Sequence, residues 1–233
     1  MNKLLKNIEK QIIVSCQASK NDPLAEKNGL ISVIKSVING GALGLRLAGR
    51  ESIKKTRKFS TIPIIGITKP DILPQNWKEI VYITPSFKDA KQISDAGADI
   101  IAIDGTLRQR PNEKLEELIF NIKKKLQKPV MADISTYEEA LICAELGADI
   151  ISTTLSGYTS YTLDKNNGEP DFELLETLVN NLNKPVILEG RIWTPEHAKK
   201  AFESGAFCVV IGSAITRPQV ITERFIKLGM KSI

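Results

Sequence analysis

Two kinds of apolar run alternate along this chain, and that alternation constrains its fold more than any other feature. Four runs open on a glutamine, an Ile-Pro or a Lys-Pro pair: Gln11–Gln17 (QIIVSCQ), Ile62–Lys69 (IPIIGITK), Lys128–Ile134 (KPVMADI) and Lys184–Arg191 (KPVILEGR). Four others follow a small-residue turn: Gly41–Leu47 (GALGLRL), Gly97–Asp104 (GADIIAID), Gly147–Thr154 (GADIISTT) and Gly205–Gly212 (GAFCVVIG). Near-continuous apolar runs of this kind suit parallel strands buried on both faces. Most are separated by polar-apolar stretches of helical length. Each ends in a polar or charged residue, namely Gln17, Arg46, Lys69, Asp104, Asp133, Thr154, Glu189 and Ser213. Eight parallel strands with eight helices make an α/β chain of the (β/α)8 TIM-barrel type, whose carboxyl strand ends form the active-site rim. The polar strand ends are therefore also the candidates for chemistry.

The connections support a closed barrel over an open sheet. Ser86-Phe-Lys-Asp, Thr136-Tyr-Glu-Glu and Thr194-Pro-Glu-His each start a helix on a hydroxyl cap, with acids in the first turn, and each helix leads to a Gly-Ala turn into the next strand. That is a βαβα unit of about 50 residues, repeated along the chain. A helix is expected over Asp22–Ile38, capped by Asp22 with Pro23 in its first turn. Pro70–Lys78 and an extra extended piece, Ile80–Thr84 (IVYIT), follow the third strand, at the rim or on the outer wall. Two rim loops are unusually polar: Gly105–Pro111 (GTLRQRP) and the long Leu155–Pro170. A long ordered loop in a compact domain is commonly a lid or a binding loop. No linker or low-complexity tract interrupts the 233 residues, so a single domain over 1–233 is expected.

Composition excludes several classes. The net charge of +5 is modest, and the lysines scatter over helix faces, as in Ile122–Lys128 (IKKKLQK), without interleaved aromatics. This predicts no nucleic-acid partner and fits a small anionic substrate. The first residues, MNKLLKNIEKQ, carry charges every few positions and lack the apolar core of a signal peptide, and no apolar run approaches a membrane span. A cytoplasmic protein without membrane contact is expected. Cys16, Cys143 and Cys208 lack metal-ligand spacing and read as buried thiols. The single histidine, His197, sits in a helix start and reads as structural. No histidine metal site and no GxGxxG or P-loop pattern is present, so no metal and no cofactor are expected.

Among the strand ends, Glu189-Gly190-Arg191 and Gly212-Ser213 close the seventh and eighth strands. In barrel enzymes these two loops often bind phosphate, with backbone N–H groups and a helix N-terminus facing the anion. Arg191 and Arg217 add charge-assisted donors. A phosphorylated substrate is expected. Lys69 serves as an acid/base or Schiff-base group once burial or a cation such as Arg46 lowers its pKa. Asp133 and Glu189 supply carboxylates to the same pocket. Asp104 reads either as a pocket group or as an orienter of Arg108 or Arg110.

Seven segments in this order resemble the N-acetylmannosamine-6-phosphate 2-epimerases of bacterial sialic-acid catabolism: VSCQA (Val14–Ala18), GLRL (Gly44–Leu47), IGITK (to Lys69), ADISTYEEA (Ala132–Ala140), TTLSGYT (Thr153–Thr159), EGRI (Glu189–Ile192) and GSAITRP (Gly212–Pro218). The combination of ADIST with TTLSGYT is the specific part. The resemblance implies a cofactor-independent isomerase interconverting N-acetylmannosamine 6-phosphate and N-acetylglucosamine 6-phosphate by proton transfer at C2. It implies Lys69 as the group that removes and returns that proton, and Glu189 as its partner in ring opening or at the opposite face. It implies substrate contacts at Gln17, Arg46, Asp133, Thr154, Tyr158 and Arg217, and phosphate contacts at Gly190, Arg191, Gly212 and Ser213. One departure is Leu188, where many members carry alanine.

Two other functions suit the same residues. A Schiff-base aldolase would use Lys69 as a nucleophile, and borohydride would trap its imine. A non-enzymatic sugar-phosphate sensor would survive loss of Lys69. Assembly is expected to be a homodimer through the apolar C-terminal helix, Pro218–Leu228, which carries Val220, Ile221, Phe225 and Ile226.

Overall fold

In the computed structural model, residues 3–111 and 113–230 are described. Eight strands close in sequence order into an all-parallel barrel: β1 (Ile12–Cys16), β2 (Leu45–Ala48), β3 (Ile64–Ile67), β4 (Ile100–Asp104), β5 (Val130–Asp133), β6 (Ile150–Ser152), β7 (Val186–Glu189) and β8 (Cys208–Ile211). Helix α1 (Lys3–Lys6) precedes β1. Around the barrel run α2 (Gly29–Asn39), α3 (Arg50–Arg57), α4 (Phe87–Asp95), α5 (Leu115–Asn121), α6 (Tyr137–Glu145), α7 (Phe172–Asn181) and α8 (Pro195–Glu203). A short α9 (Ser213–Thr216) and α10 (Pro218–Gly229) follow β8.

Strand parity sorts the side chains. On β1, Ile13 faces the barrel interior while Val14 and Cys16 face helices; on β8, Cys208 and Val210 face in and Val209 and Ile211 face out. The interior cluster gathers Ile13, Ile65, Ile67, Ile100, Ala102, Met131, Ile150, Ile187, Cys208 and Val210. Leu5 and Ile8 join this cluster from the amino-terminal segment and plug one end of the barrel. Each of these isoleucines is buried, and each contributes roughly 1.5–3 kcal/mol. Because side chains alternate, the inward series runs on to Gln17, Arg46, Lys69, Asp104, Asp133, Thr154 and Glu189. The apolar interior thus passes into a polar layer at the carboxyl ends.

The three hydroxyl caps form as the sequence implies. Ser86, Thr136 and Thr194 each accept the backbone N–H three residues on, and Glu139 completes a capping box with Thr136. Asp22 behaves differently. It caps only a 3-10 turn, Pro23–Ala25, by accepting the Leu24 N–H, and the helix proper starts at Gly29. Lys27 has φ +48°, which breaks the helix, and a Cβ at Gly29 would meet the Leu24 carbonyl at 2.9 Å. The expected helix over Asp22–Ile38 is therefore two pieces.

Segment 80–84 lies at the rim. It forms an isolated bridge between Ile80 and Gln109, and Val81 and Ile83 are buried. All three cysteines are free and buried. Among the described residues no helix is long and apolar enough to cross a membrane.

Candidate active site

A cavity of about 270 Å³ opens at the carboxyl end of the barrel. Its wall brings together Gln17, Lys69, Thr154, Tyr158, Glu189, Gly190, Arg191, Gly212, Ser213 and Arg217, ten of the twelve residues expected to form the site. The other two, Arg46 and Asp133, lie beneath its floor, each 0 % exposed. Ser15, Tyr82, Trp193 and Thr216 also line the cavity and were not anticipated. Ser15 was readable, since it shares the inward parity of Gln17 and accepts a hydrogen bond from Gln17 Nε2 at 2.8 Å. Tyr82 had no signal, because only the path of segment 80–84 carries it to the wall.

Under the floor, Arg46 holds two carboxylates. Its Nη1 and Nη2 donate to Asp133 Oδ1 at 3.0 Å and Oδ2 at 2.5 Å, a bidentate pair. Nη1 also donates to Glu189 Oε2 at 2.7 Å. Thr154 Oγ1 lies 2.7 Å from Asp133 Oδ1 and 3.1 Å from Glu189 Oε2. These contacts use one oxygen of Glu189, leaving Oε1 to the cavity.

Charge follows from this geometry. One guanidinium faces two carboxylates, so the cluster carries an excess negative charge unless Glu189 is protonated or Lys69 is an ammonium. Burial, followed by the Asp133 charge, raises the Glu189 carboxyl to about 7 in spite of Arg46. Lys69 lines the cavity and remains accessible from it. Loss of water around it within the barrel mouth, then the Arg46 charge, nonetheless lowers its ammonium to about 8. Burial opposes the Arg46 charge, but the Asp133 and Glu189 carboxylates outweigh it and keep the guanidinium a cation well above the usual range. Lys69 forms no ion pair among the described residues. It is an amine near its titration point, without an ion-pair partner among the described residues, on the same cavity wall as a carboxyl also near its titration point.

The other end of the cavity is cationic and rich in backbone donors. Arg217 Nε lies 3.2 Å from Asp22 Oδ2, and Gln219 Nε2 donates to the same oxygen at 3.0 Å. Asp22, 5 % exposed, thereby anchors Arg217 at the cavity edge, a role its cap motif did not reveal. The first hydrogen bonds of α9 are donated by Ile215 and Thr216 to the Gly212 carbonyl, so the Ser213 and Ala214 N–H groups ahead of them have no intrahelical partner. Arg191 is more committed than expected. Its Nε donates to the Glu169 carbonyl and its Nη1 to the Ser156 carbonyl, each at 2.6 Å. Its guanidinium lies 5.4 Å from the Tyr158 ring centroid. Arg191 thus clasps the long 155–170 loop across the cavity mouth.

Asp104 takes no part in the cavity wall. It is buried in an ion pair with Arg108 at 2.5 Å and accepts from Thr106, while Arg110 donates to its carbonyl. His197 Nδ1 accepts the Trp193 N–H at 3.3 Å and Nε2 lies 2.9 Å from Glu169, which suits a structural histidine. Leu188 is buried in the outer layer, away from the cavity.

Comparison with known proteins bears on this site. Residues 31–231 match the model of the family described as "Putative N-acetylmannosamine-6-phosphate epimerase". The chain belongs to this family. A relative from Clostridioides difficile (strain 630), named as a "Putative N-acetylmannosamine-6-phosphate 2-epimerase", is 46% identical over 96% of this chain and 98% of its own length. One of the same name from Caldanaerobacter subterraneus is 44% identical over 96% and 92%. Among solved structures, the N-acetylmannosamine-6-phosphate 2-epimerase from Clostridium perfringens superposes with a TM-score of 0.90 at 41% identity, covering 97% of this chain and 96% of that one. A thiamine phosphate pyrophosphorylase from Pyrococcus furiosus, at 14% identity and a TM-score of 0.58, shares the barrel fold alone. Like the rest of this epimerase family, the protein is an isomerase, and its barrel is the family's fold.

Proposed function

We propose that this epimerase interconverts N-acetylmannosamine 6-phosphate and N-acetylglucosamine 6-phosphate with Lys69 and Glu189 as its two proton-transfer groups. The observation that carries the reading is the pair itself: an amine lowered to about 8 and a carboxyl raised to about 7 on the wall of one cavity. The hydrogen at C2 becomes acidic only when C1 is a carbonyl, so the pyranose opens first. The neutral Lys69 amine then takes the C2 proton, and the electron pair moves through C1 onto its oxygen. The Glu189 carboxyl returns a proton to C2 on the opposite face. Lys69 ends as an ammonium and Glu189 as a carboxylate, and the reverse reaction uses them in exchanged roles. The sum of their charges is unchanged.

Arg46 acts from below the floor. It fixes the Glu189 carboxyl through Oε2 and sets a positive field beneath the developing enolate. Asp133 holds Arg46 in place. Gln17, Thr154 and Tyr158 contact the sugar, while Arg217, Gly190, Gly212 and Ser213 hold the phosphate, with Arg191 closing the loop over them. Phosphate binding far from C2 then positions the reacting carbon. No group beyond the side chains is required by this proton balance.

Replacing Lys69 with alanine tests the reading. Turnover should fall by about 10²–10⁴-fold, with phosphosugar binding and the folded state retained. Unchanged turnover would refute the assignment of Lys69.

We propose further that the chain pairs with a second copy through α10. Phe225, Ile226, Leu228 and Met230 are 75%, 56%, 51% and 63% exposed, an apolar edge larger than a barrel helix otherwise presents.

A further inference from the structure

We infer that Thr84 is a positioning residue for Lys69. It would hold the chain at the end of β3 so that the lysine turns into the cavity. The inference rests on the reading that Lys69 handles the proton.

Sheet pairing gives out just before Lys69. The β2–β3 register ends at Ala48–Ile67, and the β3–β4 register ends earlier, at Gly66–Ile101. Thr68 is therefore the first residue beyond the sheet, and its backbone groups would lack partners. One residue supplies both. The Thr68 N–H donates to Thr84 Oγ1 at 3.0 Å, and the Thr84 N–H donates to the Thr68 carbonyl at 3.1 Å. The preceding carbonyl, of Ile83, accepts the Asp104 N–H at 3.0 Å. Segment 83–84 is thus wedged between the carboxyl ends of β3 and β4 and replaces the pairing that the strands have lost.

The backbone of Thr84 marks this junction as over-determined. Its φ is +42°, in the left-handed region that a β-branched residue rarely adopts. Pro85 follows it, and a residue before proline favours extended conformations. Such a conformation persists only where surrounding contacts enforce it, and these places cluster at functional sites. Thr84 is 0 % exposed and does not line the cavity, so it acts on the substrate through its neighbours, and its two hydrogen bonds to Thr68 lead to Lys69. Around Lys69 stand Arg46 from β2, Asp133 from β5, Glu189 from β7 and Arg217 after α9, all of which bear on its charge. A lysine released from the Thr68 clamp would move relative to these groups and toward solvent.

The test compares Thr84→Val, which keeps the branched shape but loses the acceptor, with Thr84→Ser, which keeps the acceptor. Turnover should fall by about 10- to 100-fold in Thr84→Val with little change in KM, and Thr84→Ser should recover most of it. A second readout does not depend on the reaction: the carbon-13 NMR titration of reductively methylated protein, with the Lys69 resonance assigned by its loss in Lys69→Arg. In Thr84→Val its midpoint should move upward, toward that of an ordinary lysine, and in Thr84→Ser it should stay. An unmoved midpoint in Thr84→Val, or equal losses in both variants, would overturn the inference. If Thr84→Val fails to fold, Thr84→Ser decides alone: wild-type turnover and midpoint support the acceptor role, and loss of both refutes it. If Lys69→Ala itself keeps wild-type turnover, the proton-transfer reading fails, while the titration still reports whether Thr84 places the lysine.

Discussion

Glu189 holds its proton almost to neutrality while lying 2.7 Å from an arginine, and the reason is burial first and a shared cation second. Asp133 takes both terminal nitrogens of Arg46, so the guanidinium is largely neutralised before Glu189 draws on it. A carboxyl buried beside a partly spent cation stays protonated. The consequence is a bell-shaped dependence of kcat/KM on pH. The competent form needs a neutral Lys69 and a protonated Glu189, and it is a minority because the amine lies near 8 and the carboxyl near 7. Activity therefore rises with an apparent midpoint near 7 and falls with an apparent midpoint near 8. The maximum lies between them, and the two limbs belong to the pair rather than to either residue. A profile that rises monotonically from pH 6 to 10 would contradict a protonated Glu189 as acid. In Glu189→Gln the limb that falls with increasing pH should vanish along with most of the turnover.

At the scale of elements, the long connection after β6 is the part that turns an open barrel mouth into a cavity. Ser156 Oγ donates to Asp171 at 2.5 Å, Tyr161 donates to Glu139, and Arg191 binds two carbonyls of the loop. Gly157 is its tightest point. Its φ is +79°, and a Cβ there would meet Arg191 Nη1 at 2.8 Å. Gly157→Ala should therefore cost more than about 1 kcal/mol and detach Arg191, raising KM several-fold and speeding proteolytic nicking within residues 155–170. An unchanged nicking rate would show that the clasp does not hold the loop.

What was legible in the sequence follows from the same parity. Gln17, Arg46, Lys69, Thr154 and Glu189 were readable because each ends an apolar run on the inward face, and strand period alone brings such positions together. Depth was not readable. Period 2 places Arg46 and Asp133 inward, but only closure of the barrel shows that they lie below the floor. Tyr82 and Thr84 were hidden for a different reason, since segment 80–84 takes its place from single contacts with Gln109, Asp104 and Thr68 rather than from a repeating pattern. Asp22 showed its capping signal, but not its contact with Arg217 far along the chain.

For the whole molecule, the apolar edge of α10 sets the expectation of a dimer. Light scattering at micromolar concentration should give twice the 25.7 kDa chain mass, and Phe225→Glu should shift it toward one chain; a monomer mass for the unaltered protein would contradict the pairing. Arg224 lies over the Trp193 ring at 4.6 Å, and Trp193 lines the cavity. α10 thus connects the exposed edge to the site, so loss of pairing should also raise KM.

Epimerisation by Lys69 and Glu189 requires that a proton leave and return at C2. Proton NMR of the purified protein with N-acetylmannosamine 6-phosphate in D₂O tests it most directly. Growth of the N-acetylglucosamine 6-phosphate signals together with loss of the H2 resonance to deuterium is expected. An H2 signal that persists while product accumulates, or no product from a protein that binds the phosphosugar, would contradict it.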